Sequence, residues 1–516
     1  ARFDLASGGT LDPFADDARA FPVEVDGGEV FVVVGAADGR VEHHRRRLAE
    51  GLESGLTLVT AKAVLALLEA GEPAEAIVRV GLDFGIANRG PGWGSGLTVL
   101  VAMANLLPHL DPSDRGSALV HGLAFVARDT RGRPPRFPLA PLGDGDGGGA
   151  GTPSVERLTT WYRRFIETRS DESAERTLVT AITAGHGPDA VARMMLAAAT
   201  DHVFLDIGHT VDFTNKAFEA LDHVGWDRAA AVLPTLVDQT AAAQRAEQGG
   251  RWRHPVDLAA LVARTEERLP GLLAEGATAA AAGAVFGTDR VAALARNVLV
   301  EDPEAIVAAV TGAISAGASP DELGQAVAYA AALRIARFHV QNDFGDWDTV
   351  HHGFTHANAL HQCLRRHPSP ELVRGVVHAA LRIYLDRFLN VPAARPPTAA
   401  TGDLADLQAC WDEQGGVDRA GAIAYGYLKG GGDPSALVAA LGRALLAEDA
   451  GFHWFQIVEA AVRQFHVWPP GSDEGAMILV AAARFLAAHT PTRRELPHVV
   501  RIAGRLRRGE DLFEDS

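Results

Sequence analysis

Lysine is almost missing from this chain. Only Lys62, Lys216 and Lys429 occur in 516 residues, against 20 histidines and a net charge of −17. So acidic a chain does not fit a general nucleic-acid binder or a protein of anionic membrane surfaces. Cysteine is scarcer still. Cys363 and Cys410 cannot build a disulfide framework or a four-thiolate zinc site, which we read as a reducing, cytoplasmic setting. No apolar run reaches the roughly 18 residues that span a bilayer, and none reads as a signal peptide. Signatures of several enzyme classes are missing too. No Gly-x-Gly-x-x-Gly follows a strand, no Gly-x-x-x-x-Gly-Lys-Ser/Thr occurs, and no Gly-x-Ser-x-Gly sits between a strand and a helix.

What is present is a large apolar fraction. Hydrophobic residues make up 47% and charged residues 22%, enough for an extensive core, so global disorder is excluded. Residues 1–36 stand apart. Phe21-Pro22-Val23-Glu24-Val25 and Glu29-Val30-Phe31-Val32-Val33-Val34 flank Asp26-Gly27-Gly28, a strand–turn–strand signature. From about residue 45 apolar residues recur at i, i+3, i+4 and i+7, and strand signals nearly vanish. The expected fold is mainly α: a large helical domain of about four multi-helix repeats behind a short β segment. The boundaries read as 1–36 for the β segment, 37–141 for the first helical unit, 142–156 for a Gly-rich linker and 157–516 for units two to four. A Pro-rich break falls at 390–402.

The repeats announce themselves by their punctuation. Gly71-Glu72-Pro73, Gly185-His186-Gly187-Pro188, Gly317-Ala318-Ser319-Pro320 and Gly431-Gly432-Asp433-Pro434 each predict a helix ended by Gly and the next one opened near Pro. Units one and three share further landmarks: Trp93 with Trp347, Ala104-Asn105 with Ala357-Asn358, and Val120-His121 with Val377-His378.

The units differ mainly in histidine. Before Asn105 the sequence is apolar. Before Asn358 it reads Val350-His351-His352-Gly353-Phe354-Thr355-His356, and the i, i+4 pair His352 and His356 shares a helix face able to hold a metal. In unit two, His202, Asp206, His209 and Lys216 fall on one stripe if the helix is continuous through Gly208. In unit four, His453 lies 19 residues after Pro434, close to the 21 that separate His209 from Pro188; His339 is a weaker alternative in unit three. Neutral imidazoles in number suit iron(II), copper or zinc.

Two resemblances add to this reading. Residues Ala1-Arg2-Phe3-Asp4-Leu5, Ser7-Gly8-Gly9, Phe21–Val25 and Gly28–Val32 resemble the tail of a Rieske [2Fe–2S] domain, the stretch that follows its second Cys-x-x-His pair. That implies a [2Fe–2S] cluster whose ligands precede Ala1, since no Cys-x-His or Cys-x-x-His occurs in this chain. The motifs His202-x-x-x-Asp206-Ile207-Gly208-His209, Val350-His351-His352-x-x-Thr355 and Gly451-Phe452-His453-x-Phe455-Gln456-x-x-Glu459 resemble the questin oxidase-like proteins. They depart from that family at Asp206 and His209. This resemblance implies a helical non-haem iron oxygenase acting on polycyclic aromatic compounds, with His202, His209, His352 and His453 as iron ligands. His356 stands in reserve, as does Lys216, whose carbamate would bind metal. Together the two imply an O2-using oxidoreductase on a hydrophobic aromatic substrate, with electrons from a Rieske-type cluster or a partner protein, and no membrane or nucleic-acid partner. The alternatives are a non-catalytic helical scaffold with structural histidines and a zinc-dependent hydrolase on the same site.

Overall fold

The computed structural model describes residues 23–33, 38–143, 153–398, 400–508 and 510, with isolated positions 2, 3, 8, 10, 18 and 21 before them. Most of the Rieske-like stretch before Val23 and the core of the 142–156 linker lie outside the described residues. The chain is mainly helical, as the periodicity predicts. No helix among the described residues is long and apolar enough to cross a membrane.

The short β segment is an antiparallel hairpin, β1 (Val23–Asp26) and β2 (Glu29–Val32), closed by Gly27 and Gly28 at positive φ. The register pairs Val23 with Val32 and Val25 with Val30. One face is therefore all valine, and the other carries Glu24, Asp26, Glu29 and Phe31. Every residue of both strands is exposed.

The helical body repeats one local device four times. Helices Thr57–Glu69, Asp171–Thr183, Pro303–Ser315 and Val417–Lys429 end at Gly71, Gly185, Gly317 and Gly431, at φ +83°, +79°, +86° and +86°. The next residue's N–H then reaches back five positions in every case: Glu72 to Leu67, His186 to Ala181, Ala318 to Ala313 and Gly432 to Tyr427, at 2.9–3.2 Å. A second helix starts at or just after the proline: Ala74–Ala87, Pro188–Thr200, Pro320–Ala336 and Pro434–Leu446. The third helix of each unit is the one that matters for the site. These are Ser95–Leu106, His209–Val224, Phe344–Arg366 and Phe452–Phe465, hereafter the Asn105, His209, His352 and His453 helices.

The four third helices pack on one another at the centre: His209 against His352, His352 against His453, His453 against Asn105 and Asn105 against His209. Trp93 and Trp347, the paired landmarks, are both buried beside the starts of their helices. A single apolar core runs from Leu48 to Ala503 around this bundle. The His209, His352 and His453 helices run the same way, because their histidines meet at one end and Glu219, Gln362 and Arg463 converge near the other.

Candidate metal centre

The histidine end is assembled by three helices. His209 opens its helix, His453 is the second residue of its own, and His352 lies two turns into the third. The ligand atoms of His209, His352 and His453 all lie within 4.8 Å of one another. His209 opens a helix because the chain ahead of it turns the wrong way. Phe204, Asp206 and Ile207 have φ of +46°, +48° and +50°, and Gly208 has φ +99°. Each non-glycine residue in that left-handed region costs about 1–2 kcal/mol. A Cβ on Gly208 would come within 3.0 Å of the Phe204 ring and the His356 side chain. The strained turn is held by packing and delivers the His209 ring to the cluster.

Burial favours the neutral form of His209 and His352. Desolvation, then the neighbouring rings of His453 and His356, pushes the His209 pKa down to about 3. Burial and the rings of His209 and His453 lower His352 likewise. Neutral imidazole is the form that donates a lone pair to a metal. Aromatic rings close around the site. Phe213 stacks on His209 at 5.1 Å, and Phe452 lies 5.7 Å from it.

The ring nitrogens test the fit of a metal. The buried Nε2 atoms of His351, His352, His356 and His489 have no hydrogen-bond partner. In His351 and His489 the other nitrogen faces a backbone carbonyl, Asp348 O at 3.1 Å and Phe485 O at 2.8 Å. That bond places the proton on Nδ1 and leaves Nε2 as a bare lone pair, the arrangement of metal-ligating histidines. Buried acceptors without partners are costly, and a cation removes that cost.

The structure does not bring every expected ligand here. His202 lies ahead of the left-handed turn, which breaks the stripe that continuous helix through Gly208 would have made. Its Nδ1 meets Glu247 at 2.8 Å and its Nε2 meets Glu167 at 2.5 Å, so both nitrogens are taken by carboxylates. His356 stays near, its ring 4.8 Å from Phe204 and its Nδ1 3.3 Å from Gly208 O, outside the three-residue group.

Lys216 is corrected more sharply. It is neither solvated nor placed among the histidines. Two turns along from His209, its buried ammonium donates to Glu219 at 2.8 Å and Glu459 at 2.7 Å. Asn105 Nδ2 donates to both of those carboxylates, and Arg463 faces both. A cation so paired has no reason to become a carbamate.

Sequence reasoning passed over Asp348 and His489 and left His351 unassigned. Asp348, His351 and His453 form a second group with donor atoms within 4.8 Å. The Asp348-x-x-His351-His352 spacing puts carboxylate and imidazoles on one helix face, a signal that was there to be read. His489, at the end of the Asp473–His489 helix, had no such signal. No protein-family model matches this chain, and neither the curated proteins nor the solved structures contain a match.

Proposed function

We propose that the protein is a metal-dependent, O2-using oxidoreductase, with iron held by His209, His352 and His453 and a hydrophobic aromatic substrate beside it. The observation that carries this reading is the convergence of three half-buried imidazoles from three equivalent helices, their ligand atoms all within 4.8 Å of one another. Three histidines leave coordination positions open, as a catalytic rather than a structural site requires. Bound iron would supply one-electron chemistry and a place for O2. The chain's own residues would bind and orient that ion, and the rings of Phe213 and Phe452 would exclude water and offer faces for an apolar substrate. The choice of iron, the polycyclic aromatic substrate and the Rieske-type electron source rest on the two sequence resemblances.

Metal analysis tests the reading. The purified full chain, loaded anaerobically with Fe(II), should retain stoichiometric iron and consume O2 in the presence of a reductant and polycyclic aromatic substrates. His352→Ala and His453→Ala should each abolish iron retention. Iron content unchanged in both variants, or no metal in the wild type, would leave a helical scaffold with structural histidines. Zinc retained in preference to iron, with hydrolysis and no O2 uptake, would make it a zinc hydrolase.

A further inference from the structure

We infer that this end of the bundle is built for two metal ions, the second held by Asp348 and His351 with His489 alongside and His453 shared between the two. The inference rests on the reading that His209, His352 and His453 hold the first. Donor number is the starting point. His209, His351, His352, His453 and Asp348 make up two adjoining donor groups, with His489 against Asp348, and four ligands satisfy a typical first-row ion with nitrogen donors. The donors fall into two overlapping groups rather than one. His209 and His352 belong to the first, Asp348 and His351 to the second, and His453 to both. Its ring lies 4.6 Å from His352 and 4.2 Å from His351, and those two rings lie 4.7 Å apart, so it touches a member of each group. An imidazole has two nitrogens, so His453 can offer one to each ion, releasing its ring proton to solvent.

The second group also shows why a cation belongs there. His351 is completely buried, and the carbonyl of Asp348 fixes its proton on Nδ1, so its Nε2 is a lone pair with no donor to meet it. His489 has the same arrangement, and its bare Nε2 lies 3.8 Å from the Asp348 carboxylate. A lone pair and a carboxylate facing each other repel unless a cation lies between them. Among the described residues, the only ion-pair neighbours of Asp348 are the imidazoles of His453 at 3.5 Å and His489. Among the described residues no lysine or arginine is paired with Asp348 to supply the missing charge. A divalent first-row transition-metal ion beside Asp348 would do so, and would meet the bare lone pair of His351.

The test is the count of ions per chain. The full chain is loaded anaerobically with Fe(II), freed of loose metal, and assayed for iron by mass spectrometry. Two ions in the wild type, falling to one in Asp348→Ala and to one in His209→Ala, is the expected result. Asp348 is the better probe of the second position because its side chain is 40% exposed, whereas His351→Ala opens a fully buried hole. One ion in the wild type overturns the two-ion inference: if Asp348→Ala keeps it and His209→Ala loses it, the first site alone stands, and if Asp348→Ala loses it and His209→Ala keeps it, the three-histidine reading falls. No bound ion in the wild type overturns the three-histidine reading itself, and the second site with it.

Discussion

The central bundle holds two polar layers, two helical turns apart on the same helices, and they are built on opposite terms. At the histidine end, several ring nitrogens are buried without a partner. In the middle, Lys216, Glu219, Glu459, Arg463, Asn105 and Asn215 are all accounted for by one another. The middle carboxylates and Lys216 are buried and the three metal-group histidines half-buried, yet the plainer difference is partnering. A buried charge network closed on itself specifies how helices register, and a buried network left open is arranged for something that is not protein.

The largest effect should come from opening the closed layer. Lys216→Met leaves Glu219 and Glu459 without their shared buried ammonium, held by Arg463, Asn105, Asn215 and the more distant Arg366, and should cost about 3–5 kcal/mol in denaturant unfolding. A cost under about 1 kcal/mol would mean that the middle layer is no tighter than the histidine end. Asp212 comes next. It lies between the layers, accepting a hydrogen bond from Gln456. Burial, helped by Glu459 and Glu219 and opposed by Lys216, raises its carboxyl from 3.8 to about 7. Because the folded-state value is the higher one, the stability it contributes is present below about pH 4 and is lost as pH rises through 7. The slope is about 1.4 kcal/mol per pH unit at its steepest. Asp212→Asn should flatten that part of the stability-versus-pH curve. An unchanged curve would show that the carboxyl titrates normally.

At the open layer the expected change is a gain on adding metal. Fe(II) at about 100 times its dissociation constant should raise wild-type stability by about 2.7 kcal/mol, and His352→Ala should show no such rise. Equal stabilisation of both proteins would place the ion elsewhere. That this layer exists was partly legible beforehand. Gly71, Gly185, Gly317 and Gly431 mark the units because a left-handed helix end is a local requirement that only a few residues meet. His209 and His453 could be matched by their distance from those marks, and His352 stood out against its apolar counterpart before Asn105. What could not be read depends on distant partners. Glu459 is 243 residues from the lysine it neutralises, and His489 reaches Asp348 from another unit. The hairpin was legible from its Asp-Gly-Gly turn, because turn chemistry is equally local.

His202 is the smallest test and the cleanest separation of the two kinds of histidine. The 4, 3, 7 spacing assumed unbroken helix, and the left-handed run at Phe204, Asp206 and Ile207 removes it from the stripe. What it meets instead is a pair of carboxylates. Burial alone would lower its pKa, but the hydrogen bonds to Glu247 and Glu167 outweigh that and raise it. A raised folded-state value means that its stabilising contribution is complete below about pH 6 and fades as pH rises past the folded pKa. The site is half-exposed at Glu167, which keeps the contribution small, about 0.5–1 kcal/mol. His202→Ala should therefore lower stability slightly at pH 5.5, less at pH 8.5, and leave the metal content untouched. If it removed the metal instead, partnered and unpartnered histidines would not be the distinction that matters in this bundle.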